Sequence, residues 1–288
     1  MLRIRPTITH LAGEKYANRP SKPTARGTAY RYSSSGACAK QIAYMAMNTE
    51  PDEPLRAEDA WQMMLGELIH VSTQEAAMER FPNAVAEFTS KSANGLVSGS
   101  CDLLVPVTDF PEPTRLAWEF QFGGIGTHVV YELKTMTSFP FDKQVGWSRM
   151  RGTVNDDRAE GPKHGAIAQA GMNALGIMHE NKDIDIQLLI LGSACVETLS
   201  RSKAKNMDVE GVDRMVAEWV IPRREWEGAA QNELDRIENI HETLVMADMP
   251  RPFARDDDGY EHELNPFDPK LWNCEYCPFQ ERCKKSLQ

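Results

Sequence analysis

The chain has 288 residues, with 32 Lys and Arg against 42 Asp and Glu and a formal net charge of −10. That length suffices for one large domain or two small ones. The acidic balance speaks against a protein that binds nucleic acid over its whole surface, and leaves room for one that holds cations on carboxylates and meets phosphates locally. No run of about 18 apolar residues reads as a membrane span. The N-terminal MLRIRPTITHLAGEK lacks the apolar stretch of an export signal, so a cytoplasmic location is expected, with thiols rather than disulfides.

In chain order, residues 1–34 gather Arg3, Arg5, Lys15, Arg19, Lys22, Arg26 and Arg31 against one acid, Glu14. This basic arm suits solvent or phosphates. A helix is predicted over 56–80, with Trp61, Met64, Leu65 and Leu68 as its apolar stripe and His70 opposite them. Strands are predicted at Leu96–Val105, with Val97, Gly99, Cys101, Leu103 and Val105 sharing a face, and at Leu116–Phe122 and His128–Lys134. Residues 137–164 read as polar and irregular. A helix over 165–180, a strand at Ile184–Leu191, a strand at Met215–Ile221 and a helix over 224–247 follow. The predicted fold class is α/β (α+β), a mixed central sheet flanked by helices. Residues 1–54 form an N-terminal arm, 55–250 the core and 251–288 a cysteine-rich segment, all within one compact unit.

The chemistry concentrates on Glu132-Leu-Lys134. Side chains at i and i+2 of a strand share a face, so a carboxylate and an ammonium project together. Phosphodiester hydrolysis uses such a pair, with the carboxylate anchoring a divalent cation and the lysine stabilising charge on the attacked phosphate. Asp is disfavoured within strands, so Asp102 in an apolar strand invites a cation shared with Glu132. Gly66 and His70 lie one turn apart on a helix, and a helix-interior glycine asks for a close neighbour. Gln169 and Asn173 share a helix face after the Glu132 strand. Lys143, Arg149, Arg151, Lys163, Arg201 and Lys203 are candidate phosphate contacts.

Cys274-x2-Cys277-x5-Cys283 has metal-ligand spacing. Cys38, before a predicted helix start, is the leading fourth ligand. Such a centre would join the two ends of the chain. By ligand count, zinc and an iron–sulfur cluster both fit. Cys101 and Cys195 read as packing residues.

The order Cys38, Gly66-x-x-x-His70, Gly99-x-x-Asp102, Glu132-x-Lys134, Gln169 and the cysteine tail resembles the RecB-like branch of the PD-(D/E)XK nuclease superfamily. The likeness is greatest to the CRISPR-associated Cas four exonucleases and their viral relatives. The motifs span residues 38–283. The resemblance implies a restriction-endonuclease-like core and a nuclease acting on DNA, usually at single-stranded ends. It also implies Mg or Mn on His70, Asp102, Glu132 and the Leu133 carbonyl, with Lys134 catalytic and Gln169 positioning. A 4Fe–4S cluster would sit on Cys38, Cys274, Cys277 and Cys283. Recombination or integration proteins would be partners, and related proteins can form rings. Asn173 departs from the family's tyrosine at that position, and the stretches between Asp102 and Glu132 and over 137–164 are long. A non-catalytic DNA-binding adaptor of the same fold is the main alternative, and a zinc-stabilised module with no nucleic-acid role the other.

Overall fold

His128–Met136 alternates its apolar side chains between two covered faces, and the rest of the fold is arranged about that strand. The computed structural model describes residues 29–52, 57–148, 153–154, 158–196, 216–255, 259–264, 274 and 277–286. Its elements begin with β1 (Tyr30–Arg31), α1 (Ala39–Ala46), α2 (Ala57–Arg80), β2 (Val85–Lys91) and β3 (Val97–Pro106). Then come α3 (Glu112–Phe122), β4 (His128–Met136), α4 (Ser138–Gln144), β5 (Trp147–Ser148), β6 (Thr153–Val154) and α5 (His164–Glu180). The chain continues with β7 (Leu188–Cys195), β8 (Val216–Pro222), α6 (Arg223–Val245), β9 (Phe253–Arg255), β10 (Glu261–Glu263) and α7 (Gln280–Ser286).

Six strands form one mixed sheet in the order β1-β3-β4-β7-β8, with β2 also paired to β3. β4 runs antiparallel to β3 and parallel to β7, and β8 is antiparallel to β7. A parallel step needs a crossover, and α5 lies within it. All eight residues of β7 are buried, as expected of a strand covered on both faces. On one face Val130, Leu189 and Leu191 pack with Met172 and Ile177 of α5 and Trp226 and Ile237 of α6. On the other, Val129, Tyr131, Leu133 and Ile190 meet Ile69 of α2 and Trp118 of α3. The protein is thus a mixed α/β structure whose sheet is flanked by helices. Among the described residues no helix is long and apolar enough to cross a membrane.

Several sequence expectations are corrected. Leu116–Phe122 is not a strand but most of helix α3. Its i, i+2 apolar run divides at i, i+4: Trp118 and Phe122 pack inward, while Leu116 and Phe120 (96% exposed) face out. Pro111 caps its start, and Gly123, at φ +80, ends it in the left-handed conformation that glycine adopts without strain. The strand between α2 and β3 is β2, which carries no clean apolar alternation because its fully buried position is Ser90. Residues 137–164 hold helix α4 and the antiparallel β5–β6 pair. The strand expected at Ile184–Leu191 lies four residues later.

The single apolar face expected for β3 is also divided. Val97 and Cys101 enter the α5–α6 core, whereas Leu103 and Val105 enter the α2–α3 core. The change falls at Asp102. There the β2 ladder steps from Ala86–Leu103 to Phe88–Cys101, leaving Glu87, at φ +51, opposite Asp102. Helix α2 does not bury its expected stripe either: Leu65 and Leu68 are exposed and border an apolar cavity of about 670 Å³ floored by Tyr131, Val129 and Leu103.

Candidate functional site

The face of α2 that docks on the sheet carries Gly66, His70 and Gln74, at i, i+4 and i+8. A side chain at Gly66 would place its Cβ 2.7 Å from Thr135 Oγ1 of β4, so glycine permits this approach. His70 Nδ1 then lies 2.9 Å from Asp102 Oδ1. The β3–β4 ladder is paired from Pro106–His128 to Leu103–Tyr131. Beyond it the Leu133 N–H donates to Asp102 Oδ2 at 2.6 Å, so a carboxylate takes the place of a strand carbonyl.

Glu132 and Lys134 project toward α5. Lys134 Nζ donates to Glu132 Oε1 at 2.9 Å and to Gln169 Oε1 at 2.8 Å, and Gln169 Nε2 donates to the same Glu132 oxygen at 2.5 Å. Glu132 is 3% exposed, and its other oxygen, Oε2, is buried with no hydrogen-bond partner. An unpartnered buried carboxylate oxygen is costly unless a proton or a cation meets it. Five residues read from the sequence, His70, Asp102, Glu132, Lys134 and Gln169, therefore come together.

Burial pushes the Glu132 carboxyl up to about 7, against the opposing charge of Lys134. The hydrogen bond to Asp102 raises His70. Both groups bind protons more tightly folded than unfolded, so stability falls as pH rises. For Glu132 the loss runs between its ordinary 4.5 and about 7, and for His70 it begins near 6.5. Metal-free protein is expected to melt at a higher temperature at pH 5 than at pH 8. Glu132→Gln should remove most of the difference. Calorimetry in EDTA checks both.

Three residues support Asp102 without having been read from the sequence. Gln74 Nε2 donates to the Asp102 carbonyl at 3.3 Å and to Glu87 Oε1 at 3.1 Å, and Ser100 Oγ donates to Glu87 Oε2 at 2.7 Å. Only the spacing of Gln74, one turn beyond His70, signals this. Asn173 does not lie on an open polar face. It is fully buried, and its Nδ2 donates to the Ser100 carbonyl at 3.3 Å. Lys143 is 3.4 Å from Glu160 Oε1 and lies over the Phe139 ring. Lys163 caps the start of α5. Arg149, Arg151, Arg201 and Lys203 lie outside the described residues.

The second candidate site is cysteine-rich. Cys38 caps the start of α1, and it lines one cavity with Cys274, Cys277 and Cys283. Burial raises all four thiols, Cys274 to about 11, and neighbouring cysteine charges add to the rise in Cys274. A metal would displace protons here. The Cys38 turn is pinned by α6: Glu233 Oε1 accepts from the Gly36 N–H at 3.0 Å, and Arg236 Nη2 donates to the Ala37 carbonyl at 3.0 Å. Glu233 and Arg236 are themselves a buried pair at 2.6 Å. In the sequence they resemble an ordinary surface i, i+3 pair. Arg236→Met would remove this cation from beside the buried Glu233 and is expected to cost about 3–5 kcal/mol, measured by urea unfolding.

Among the described residues no three His, Cys, Asp or Glu side chains converge as a single-ion site. His70 and Asp102 are engaged with each other, as are Glu132 and Lys134, while the four thiols share a cavity wall. Cys101 and Cys195 are buried apart from that cavity. No family model matches the chain, and no curated protein matches it.

Proposed function

We propose that the protein is a divalent-metal-dependent DNA nuclease with a RecB-like PD-(D/E)XK core, acting on single-stranded or free ends. The observation that carries this reading is the buried, unpartnered Oε2 of Glu132. It lies on a strand beside Asp102 and His70, with the Lys134 ammonium held at the same carboxylate. A structural ion pair has no need of a second, unsatisfied carboxylate oxygen in a buried position. Asp102 at the opening of an antiparallel strand pair, Glu132 and Lys134 on the next strand and a helical crossover to a parallel strand support the core assignment.

His70, Asp102, Glu132 and the Leu133 carbonyl would hold Mg or Mn. Such an ion, when bound, supplies Lewis acidity toward a phosphoryl oxygen and lowers the pKa of a coordinated water. Gln169 fixes both Glu132 and Lys134, so the ammonium is preorganised where negative charge develops on the attacked phosphate. Asp102 is held at both oxygens and at its carbonyl, which sets the spacing between β3 and β4. Cys38, Cys274, Cys277 and Cys283 would hold a 4Fe–4S cluster, with zinc as the alternative by ligand count. The cluster's role would be structural, joining α1 to α7. With Asn173 buried, base stacking from that position is not part of the mechanism.

End-labelled single-stranded DNA incubated with the protein and Mn tests the reading. Progressive shortening with Mn and none with EDTA is expected. Binding without shortening would instead favour the non-catalytic adaptor.

A further inference from the structure

Lys40 lies on α1, two residues after Cys38, and is 4% exposed. Its Nζ donates to Ser286 Oγ at 2.6 Å, and that hydroxyl donates to the Cys283 carbonyl at 2.8 Å. Among the described residues no carboxylate is paired with it. Lys40 also lines the cavity shared by the four cysteines. A buried ammonium resting on a neutral hydroxyl is costly unless an anion lies close by. Among the described residues no carboxylate lines that cavity, whose walls place the ammonium with the four cysteines. Four thiolates around an iron–sulfur core or a zinc ion make a net negative centre, which is the partner this cation lacks.

We propose that Lys40 is the buried counter-charge of the four-cysteine centre, and that it raises the potential at which an iron–sulfur cluster bound there is reduced. The proposal rests on reading the four cysteines as a cluster site. Reduction adds negative charge to the centre, and a fixed cation in a low-dielectric surround stabilises the reduced form more than the oxidised one. The Lys40–Ser286–Cys283 chain of hydrogen bonds holds that charge in place, linking the helix that begins after the first ligand to the helix that carries the last.

The test is a dithionite titration of the full chain, purified anaerobically and followed by visible absorbance, with iron counted per chain. At the potential where the wild-type protein is half reduced, Lys40→Met is expected to show about a tenfold lower reduced-to-oxidised ratio, equivalent to about 59 mV for one electron. Lys40→Arg should restore most of it. Ser286→Ala keeps the ammonium and should change the ratio by less than about twofold. Wild-type iron content in Lys40→Met with an unshifted potential would overturn the role of Lys40 alone. A shift in Ser286→Ala as large as in Lys40→Met would overturn it too, since the hydrogen bond and not the charge would then be responsible. Wild-type protein that carries zinc, or no metal, on these cysteines would overturn the proposal together with the cluster reading beneath it.

Discussion

Lys134→Met is expected to lower Mn-dependent DNA cleavage by a factor of about 10³ or more while the protein still folds. The Lys134 side chain is partly exposed, so its loss removes little packing. What it removes is the ammonium that Gln169 and Glu132 hold at 2.8 and 2.9 Å. Without that charge, the main opposition to burial at Glu132 is gone and its carboxyl stays protonated to higher pH. Cation binding at Glu132 should therefore weaken near neutral pH and recover partly at higher pH, whereas cleavage should not recover. Rates measured at saturating Mn across pH, beside melting curves, separate the two effects. A variant that cuts at the wild-type rate would show that Lys134 is not catalytic.

Cys283→Ala is expected to lose the bound metal and to release the C-terminal segment from the core. Helix α7 is seven residues long, and its apolar anchorage is a small cluster of Tyr44, Phe279 and Cys283, with the Tyr44 and Phe279 rings 5.2 Å apart. So little buried area cannot order a short helix by itself. Metal binding would supply the remaining stabilisation, about 10 kcal/mol or more for structural zinc sites at neutral pH. Limited proteolysis should then cut beyond Pro250 in the variant and leave the 57–245 core protected. Cys101→Ala is the control: Cys101 is buried in the main core, so it should lose stability and keep its metal. Equal metal content in Cys283→Ala and wild type would exclude Cys283 as a ligand.

The site was legible in the sequence to the extent that its chemistry is unusual there. An aspartate in an apolar strand and a glycine inside a helix each break a local preference, and a carboxylate and a lysine two apart on a strand, common by themselves, gain meaning beside them; the structure brings Asp102 to His70 and Glu132 to Lys134. Elements with long periodic patterns, α2, α5 and α6, also lie where their spacing predicted. The misreadings have separate causes. At Leu116–Phe122 an alternating run served a helix because two prolines and a glycine set its ends. At β2 the inward position is a serine, so no apolar period marks the strand. Along β3 the face changes at Asp102, where Glu87 adopts a left-handed conformation that no composition rule anticipates. Gln74, Lys40, Glu233 and Arg236 look like surface residues on amphipathic helices, and only tertiary packing makes them buried.

The most direct test of a divalent-metal site is Mn binding by the 288-residue chain, followed by electron paramagnetic resonance at pH 8, in wild type and Asp102→Asn. Asp102 touches His70 and the Leu133 backbone at once, so of the proposed ligands it is the one whose charge the site can least replace. The wild-type protein is expected to take up Mn in a stoichiometric complex and Asp102→Asn is not, with the four-cysteine centre unchanged in both. Wild-type protein that leaves Mn free in solution, or an Asp102→Asn variant that binds it equally well, would show that Asp102 holds no catalytic cation.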